Sequence, residues 1–383
     1  MTLEAAALVD FAPALRLVLL AGVVALLPLS WWWLRQRHGD RRARAAALTA
    51  LTMFLTFDLV VFGSFTRLTD SGLGCPDWPG CYGKVSPLGA TGEIRAAETA
   101  LPDGPVTFRK AWIEMIHRYL AMTVGVLILV MAVAAWFDRW RGTILPVSPW
   151  WPTATLAWVV IQGLFGKYTV TLKLYPAIVT LHLLGGLLLL VLLAAQHAAF
   201  RPRLIPVPAT ARRWIAPAAL LLLVQVALGG WVSTNYAVLA CGDFPQCNGA
   251  WWPRMDFSAG FAMLRPLGRA ADGGFLPFEA LVAIHMAHRL CAVVAVSALL
   301  ALAVSLRGTG DVAARRFALG IGGLTVAQVV TGLSNVVLDW PIVAALLHSA
   351  GAAGLVLMLA LLWLRARQAL RPAPTARPLV AAA

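Results

Sequence analysis

The chain has 383 residues, 60% of them hydrophobic and 13% charged, with 31 Lys and Arg against 17 Asp and Glu and a formal net charge of +14. So apolar a composition excludes an ordinary soluble domain. The excess of positive charge does not argue for a nucleic-acid partner, because the basic residues gather in alternate loops between apolar runs, as in a membrane protein that keeps its positive loops inside.

Nine runs are long enough to cross a bilayer: 13–34, 46–66, 115–137, 151–172, 176–198, 214–236, 282–306, 314–338 and 341–364. The first follows an acidic leader with Glu4 and Asp10, and no small-residue cleavage site precedes its basic flank of Arg35, Arg37, Arg41, Arg42 and Arg44. That pattern predicts a retained helix rather than a signal peptide, in a unit spanning 1–45. The second run carries Asp58, for which a buried, hydrogen-bonded structural role is expected, and Gly63. It leads into a loop with Arg67, Cys75, Asp77, Pro79, Cys81, Gly83, Lys84 and Pro87. The third opens with Glu114, His117 and Arg118 and ends near Trp136, Asp138, Arg139, Trp140 and Arg141. The fourth holds Gln162, Gly166 and Lys167, and the fifth His182, Gly185, Gly186 and His197.

A basic linker, 201–213, then precedes a second copy. Gly229, Cys241, Asp243, Pro245, Cys247, Gly249 and Pro253 repeat the first loop at one constant offset, and Gln328, Gly332, His348 and Gly351 repeat Gln162, Gly166, His182 and Gly185 at the same offset. Between them stand His285, His288, Arg289 and Cys291. A period this long is a duplicated domain-sized unit. The halves are expected over 46–200 and 214–366, each a four-helix bundle, with a tail over 367–383. Four spans per half preserve orientation, so the predicted fold is an all-α polytopic membrane protein whose bundles are related by a pseudo-two-fold axis along the membrane normal, plus one extra helix.

Basic loops, closing with Arg365, Arg367, Arg371 and Arg377, put the C-terminus in the cytoplasm, and nine spans put the N-terminus outside. The Cys loops then face an oxidising compartment, where Cys75–Cys81 and Cys241–Cys247 are expected as disulfides. They act as structural staples or as a redox-active pair, and both readings stay open. Cys291 reads as a small core residue.

His38 and His197 read as solvated. His117, His182, His285, His288 and His348 lie near the outer ends of spans, where an ionisable side chain is costly and marks function. His117 and His288 each precede an Arg on the second helix of a half. His182 and His348 lie on the fourth, followed by Gly185 and Gly186 or by Gly351 and Ala352; Ala121 and Ala292 sit four residues after the other two. Small residues beside an imidazole permit either close helix packing or a flat slot for a porphyrin ligated by one His from each of two helices. Zinc fits less well, since it takes four ligands. One turn before the shared His, the first half has Glu114 and the second His285. Glu114 serves acid–base chemistry or caps its helix. Arg67, Arg118, Arg289, Lys84 and Lys167 are candidates for haem propionates, Arg118 and Arg289 equally for the loops.

The segment from Thr66 through Arg67, Leu68 and Thr69 to Cys75 and Pro79, with Glu114, His117, Arg118, Thr180, His182 and His348, resembles the haem A synthases over roughly 46–364. The resemblance implies an eight-helix enzyme of the bacterial inner membrane that oxidises the ring-8 methyl of haem O to the formyl of haem A for terminal oxidases. It implies that His117 and His182 face the substrate haem with Glu114 beside it, and that His288 and His348 hold a resident haem b. It implies an electron donor and a haem O synthase as partners; a homo-oligomer stays open. The additional first helix and His285 depart from the family pattern. Two rival classes remain, a di-haem b electron carrier and a thiol–disulfide oxidoreductase using the outer cysteines.

Overall fold

A computed structural model describes residues 12–370. Glu4, Asp10, Arg371 and Arg377, part of the charge pattern that sets the expected topology, lie outside the described residues. The elements are α1 (Ala12–Gln36), α2 (Arg41–Leu68), the short α3 (Thr91–Ala100), α4 (Phe108–Trp140), α5 (Trp150–Thr171), α6 (Pro176–Phe200), α7 (Ala209–Thr234), the single-turn α8 (Phe257–Gly260), α9 (Phe278–Arg307), α10 (Val312–Val337) and α11 (Ile342–Gln368). Two short 3-10 turns and isolated bridges in the loops complete the regular structure among the described residues.

Eight of these helices are long and apolar enough to cross a membrane. The expected span 151–172 is present as the 22-residue α5 but is not among the eight. Thr153, Thr155, Gln162, Lys167, Thr169 and Thr171 dilute its apolar content. Bilayer-type exposure is plain elsewhere: Leu27 is 76% exposed and Val293 and Val304 each 67%, surface that lipid tolerates and water does not.

The few acids among the basic loops have local work. Asp40 caps α2 by accepting the Ala43 N–H (2.6 Å), and Asp311 caps α10 through the Ala314 N–H (2.8 Å). Asp138 pairs with Arg41 at 2.5 Å.

In the first half α2 and α5 each pack against both α4 and α6; in the second, α7 and α10 each pack against both α9 and α11. α11 also meets α2 and α6, and α6 meets α7. α1 lies on α4 and α2 through Leu17, Ala21 and Ala25, a stripe at four-residue spacing that is fully buried. Leu17 shares a cluster with Cys75, Cys81 and Met115, so α1 begins at the Cys-loop end.

Both Cys loops fold alike. Cys75–Cys81 and Cys241–Cys247 are disulfides with Cα–Cα distances of 4.9 and 4.7 Å. Asp77 accepts the N–H groups of Tyr82 and Gly83, each at 2.6 Å; Asp243 accepts those of Asn248 (2.5 Å) and Gly249 (2.9 Å). The Gly249 N–H above all holds the Asp243 carboxyl below its ordinary pKa. Gly83 and Gly249 carry φ of +70° and +78°, where a side chain would be strained. Trp78–Pro79 and Phe244–Pro245 are both cis.

Two contacts join residues of the halves that are 166 positions apart, the offset of the repeat itself. Arg67 Nη2 donates to the Ser233 carbonyl (2.6 Å), and the Tyr236 hydroxyl donates to Asp70 Oδ1 (2.6 Å). The Arg67 guanidinium, 4.0 Å from the Tyr236 ring centroid, also pairs with Asp70 (3.0 Å).

Candidate functional site

The four repeated histidines occupy the opening turns of α4, α6, α9 and α11, at the Cys-loop end of each half. All four are half-buried, whereas His285 is buried. In the first half His117 lies on α4 and His182 on α6, and in the second His288 lies on α9 and His348 on α11. Each half thus carries two imidazoles, one on each of two helices that flank the same pair of neighbours.

Each imidazole faces a glycine of the helix beside it. A methyl group built on Gly63 of α2 would lie 3.0 Å from His117 Nε2, and one on Gly229 of α7 would lie 3.1 Å from His288 Cε1. On the other pair the distances are 3.8 Å from Gly166 of α5 to His182 Cε1 and 3.2 Å from Gly332 of α10 to His348 Cε1. The space at each ring edge exists because Cβ is missing there. The expected slots behind His182 and His348 are corrected by the same geometry. Gly185 and Gly351 receive the amides of Gln162 and Gln328 from the neighbouring helix, and Gly186 meets Val60. Gln162 Oε1 and Gln328 Nε2 are buried without a hydrogen-bond partner.

Glu114, 4% exposed, lies inside α4, whose cap is Thr107, so capping is not its role. Its Oε2 accepts the Cys75 N–H (2.8 Å), and its Oε1 pairs with Arg118 Nη2 (2.5 Å). Arg118 in turn donates to the carbonyls of Asp77 (3.0 Å), Pro79 (3.3 Å) and Gly80. Arg289 repeats that grip on the second loop, through the carbonyls of Gln246 (2.8 Å), Cys241 (3.2 Å) and Asp243 (2.9 Å). Both guanidiniums are thus engaged by their own Cys loops, and Arg67 by the contact between halves. His285, in the place Glu114 has in the first half, meets the Ala237 carbonyl through Nδ1 (2.9 Å).

Other expectations are revised. Asp58 is exposed on α2, one turn from the 60%-exposed Phe54, and makes no hydrogen bond among the described residues. His197 is half-buried, its Nδ1 3.2 Å from the Ala46 carbonyl; His38 is exposed. Sequence reasoning missed Arg265, a fully buried cation of the second outer loop that donates to Asn235 Oδ1 (2.7 Å). No pattern in the chain distinguishes it from other loop arginines.

Two imidazoles per half suit a porphyrin iron, which takes two axial ligands. Among the described residues no group of three or more His, Cys, Asp or Glu converges on a point, so the donor set for a zinc centre is missing there. All four disulfide cysteines are fully buried, which closes them to the in-line attack by an external thiolate that exchange requires.

The family model COX15-CtaA, described as cytochrome oxidase assembly protein, matches residues 46–361. A protein of Shewanella oneidensis named Heme A synthase is 38% identical over 316 residues, covering 82% of this chain and 93% of its own length. Proteins of the same name from Methylorubrum populi (30% over 348 residues; 83% of this chain, 86% of theirs) and Beijerinckia indica (29% over 342; 83% and 92%) are similar over the same extent. The helix α1 precedes the matched region.

Proposed function

Because the chain belongs to the COX15-CtaA family of cytochrome oxidase assembly proteins, we propose that its two halves divide the work of a haem A synthase between a reacting site and a resident haem. It is a multi-pass membrane oxidoreductase of haem A biosynthesis, taking haem O as substrate and yielding haem A by oxidising the ring-8 methyl to a formyl group. Bound haem supplies the oxygen and one-electron chemistry that side chains lack.

The carrying observation is an asymmetry inside a symmetry. Both halves offer an imidazole pair fronted by glycines, yet Glu114 is a buried carboxylate one turn from His117, and its counterpart His285 faces a loop carbonyl. His117 and His182 hold the substrate porphyrin. Glu114, aimed by Arg118 and the Cys75 N–H, would hold or move a proton at its carboxylate oxygens one turn from His117. His288 and His348 would hold a haem b, which would supply one-electron chemistry from its place in the second half. Arg118 and Arg289 fix the Cys loops that roof each site, and the disulfides are structural staples. Haem O arrives from a haem O synthase.

The two bundles, 46–200 and 214–366, are related by a pseudo-two-fold axis along the membrane normal. The contacts from Arg67 to Ser233 and from Tyr236 to Asp70 support this, since residues one repeat apart touch only near such an axis. α5 completes the first bundle as a span, being about 33 Å long at 1.5 Å per residue and packed along both α4 and α6. The Cys loops then face outward from the bacterial inner membrane, the N-terminus lies on their side and the C-terminus in the cytoplasm.

Glu114→Gln tests the division of labour. The variant is expected to keep both haems while haem A disappears and haem O accumulates in extracted pigment. Normal haem A from this variant would remove Glu114 from the chemistry.

A further inference from the structure

The polar partners of the four imidazoles differ between halves in a way the repeat makes exact enough to compare position by position. In the second half, Thr331 Oγ1 lies 3.0 Å from His348 Nδ1 and 2.7 Å from the Ala327 carbonyl. A hydroxyl has one hydrogen. The carbonyl can only accept, so that hydrogen goes to Ala327 and the Thr331 oxygen accepts from His348 Nδ1–H. His348 is thereby fixed in the tautomer whose Nε2 lone pair is free for iron. On the facing helix pair, the Gln225 amide nitrogen lies 3.1 Å from His288 Nδ1 and 3.3 Å from its Nε2, while Gln225 Oε1 is buried without a partner. Turning the amide over offers that oxygen to an Nδ1–H once Nε2 is ligated.

The first half has neither device. One repeat offset back, Thr331 becomes Phe165 and Gln225 becomes Leu59. His182 Nδ1 is buried without a hydrogen-bond partner. His117 makes no hydrogen bond among the described residues and has instead the Phe62 ring alongside, nearly parallel at 9° with centroids 6.4 Å apart.

We infer that Thr331 and Gln225 are positioning residues that make the second-half haem resident, and that Phe165 and Leu59 leave the first-half imidazoles unanchored so that a porphyrin there can leave. An acceptor on Nδ1–H fixes the ring and makes the imidazole a stronger donor to iron; losing such partners commonly weakens metal binding by about 10–100-fold. The stronger donor also favours the ferric state and lowers the reduction potential. This rests on the reading that His288 and His348 ligate haem b.

The test uses the purified full-length protein with its native pigments. Transfer of haem B to excess apomyoglobin and the midpoint potential of haem B are measured for the parent, Thr331→Val, Thr331→Ser, Gln225→Leu and, as a control on the assignment, His348→Ala. Thr331→Val and Gln225→Leu are expected to release haem B about tenfold faster or more, each with a raised potential. Thr331→Ser, which keeps the hydroxyl, is expected to match the parent. Parental release and parental potential in Thr331→Val would overturn the inference. His348→Ala with parental haem B would instead overturn the ligand assignment, a distinguishable failure. Haem O and haem A content of each variant reports that the first half remains folded.

Discussion

At the scale of single residues, what sits against each imidazole differs from one histidine to the next. Gly63→Ala puts a methyl 3.0 Å from His117 Nε2, closer than side chains ordinarily approach, so the ring must move or the site close. The variant is expected to lose haem O and haem A from its extracted pigment while keeping haem B. Gly166→Ala places its methyl 3.8 Å from His182, an ordinary contact, and is expected to leave all pigments unchanged. Arg118→Met leaves Glu114 buried without its cation and three loop carbonyls without their donor; the expected cost is about 3–5 kcal/mol, read from unfolding in detergent. Adding Glu114→Gln should restore part of that loss, because the coupling belongs to the pair. The four histidines stand out in the sequence because each recurs in matching context, and their role as ligands is proposed from that. The glycines that face them were visible only as repeated letters, since the ring they serve sits on another helix. The slots expected behind His182 and His348 failed for the same reason: Gln162 and Gln328 reach in from neighbouring helices, and spacing along one helix carries no trace of that.

At the scale of elements, the Cys loops behave as small rigid caps. Each is closed by a disulfide, an Asp that accepts two N–H groups, and an Arg from the helix below. Asp77→Ala removes two charge-assisted acceptor contacts and is expected to speed reduction of Cys75–Cys81 by an added phosphine severalfold, leaving Cys241–Cys247 at the parental rate. An equal rate in both loops would show that the Asp does not hold the cap shut. The disulfides and the loop repeat were readable from Cys, Asp, Pro and Gly at fixed intervals. The engagement of Glu114 by the Cys75 N–H was not, because it joins a helix to a loop of the same half across a distance no local pattern encodes. Helix α5 was readable as a helix, but its threonines, Gln162 and Lys167 lower its hydropathy below that of the other long helices. Its place between α4 and α6 explains why polar residues are tolerated there: Thr155 and Gln162 are buried against protein rather than lipid.

At the scale of the whole molecule, the two halves meet through few polar contacts at the Cys-loop end and through α6, α7, α2 and α11 along their length. Tyr236→Phe deletes the bond to Asp70 while keeping the ring under Arg67; it is expected to cost about 0.5–1.5 kcal/mol, seen as a lower unfolding temperature with pigments intact. The proposed division into halves rests on one offset that carries both loops and both fourth-helix histidines. Which surfaces of the halves meet was not, since apolar residues on membrane helices face lipid and protein alike. Each half is proposed to own one haem. Pigment extraction from the purified chain after replacing the histidines pairwise measures this most directly. His117→Ala with His182→Ala is expected to lose haem O and haem A and keep haem B, and His288→Ala with His348→Ala to lose haem B. Haem B retained in full by the second pair, or lost with the first while haem A stays, would rule this assignment out.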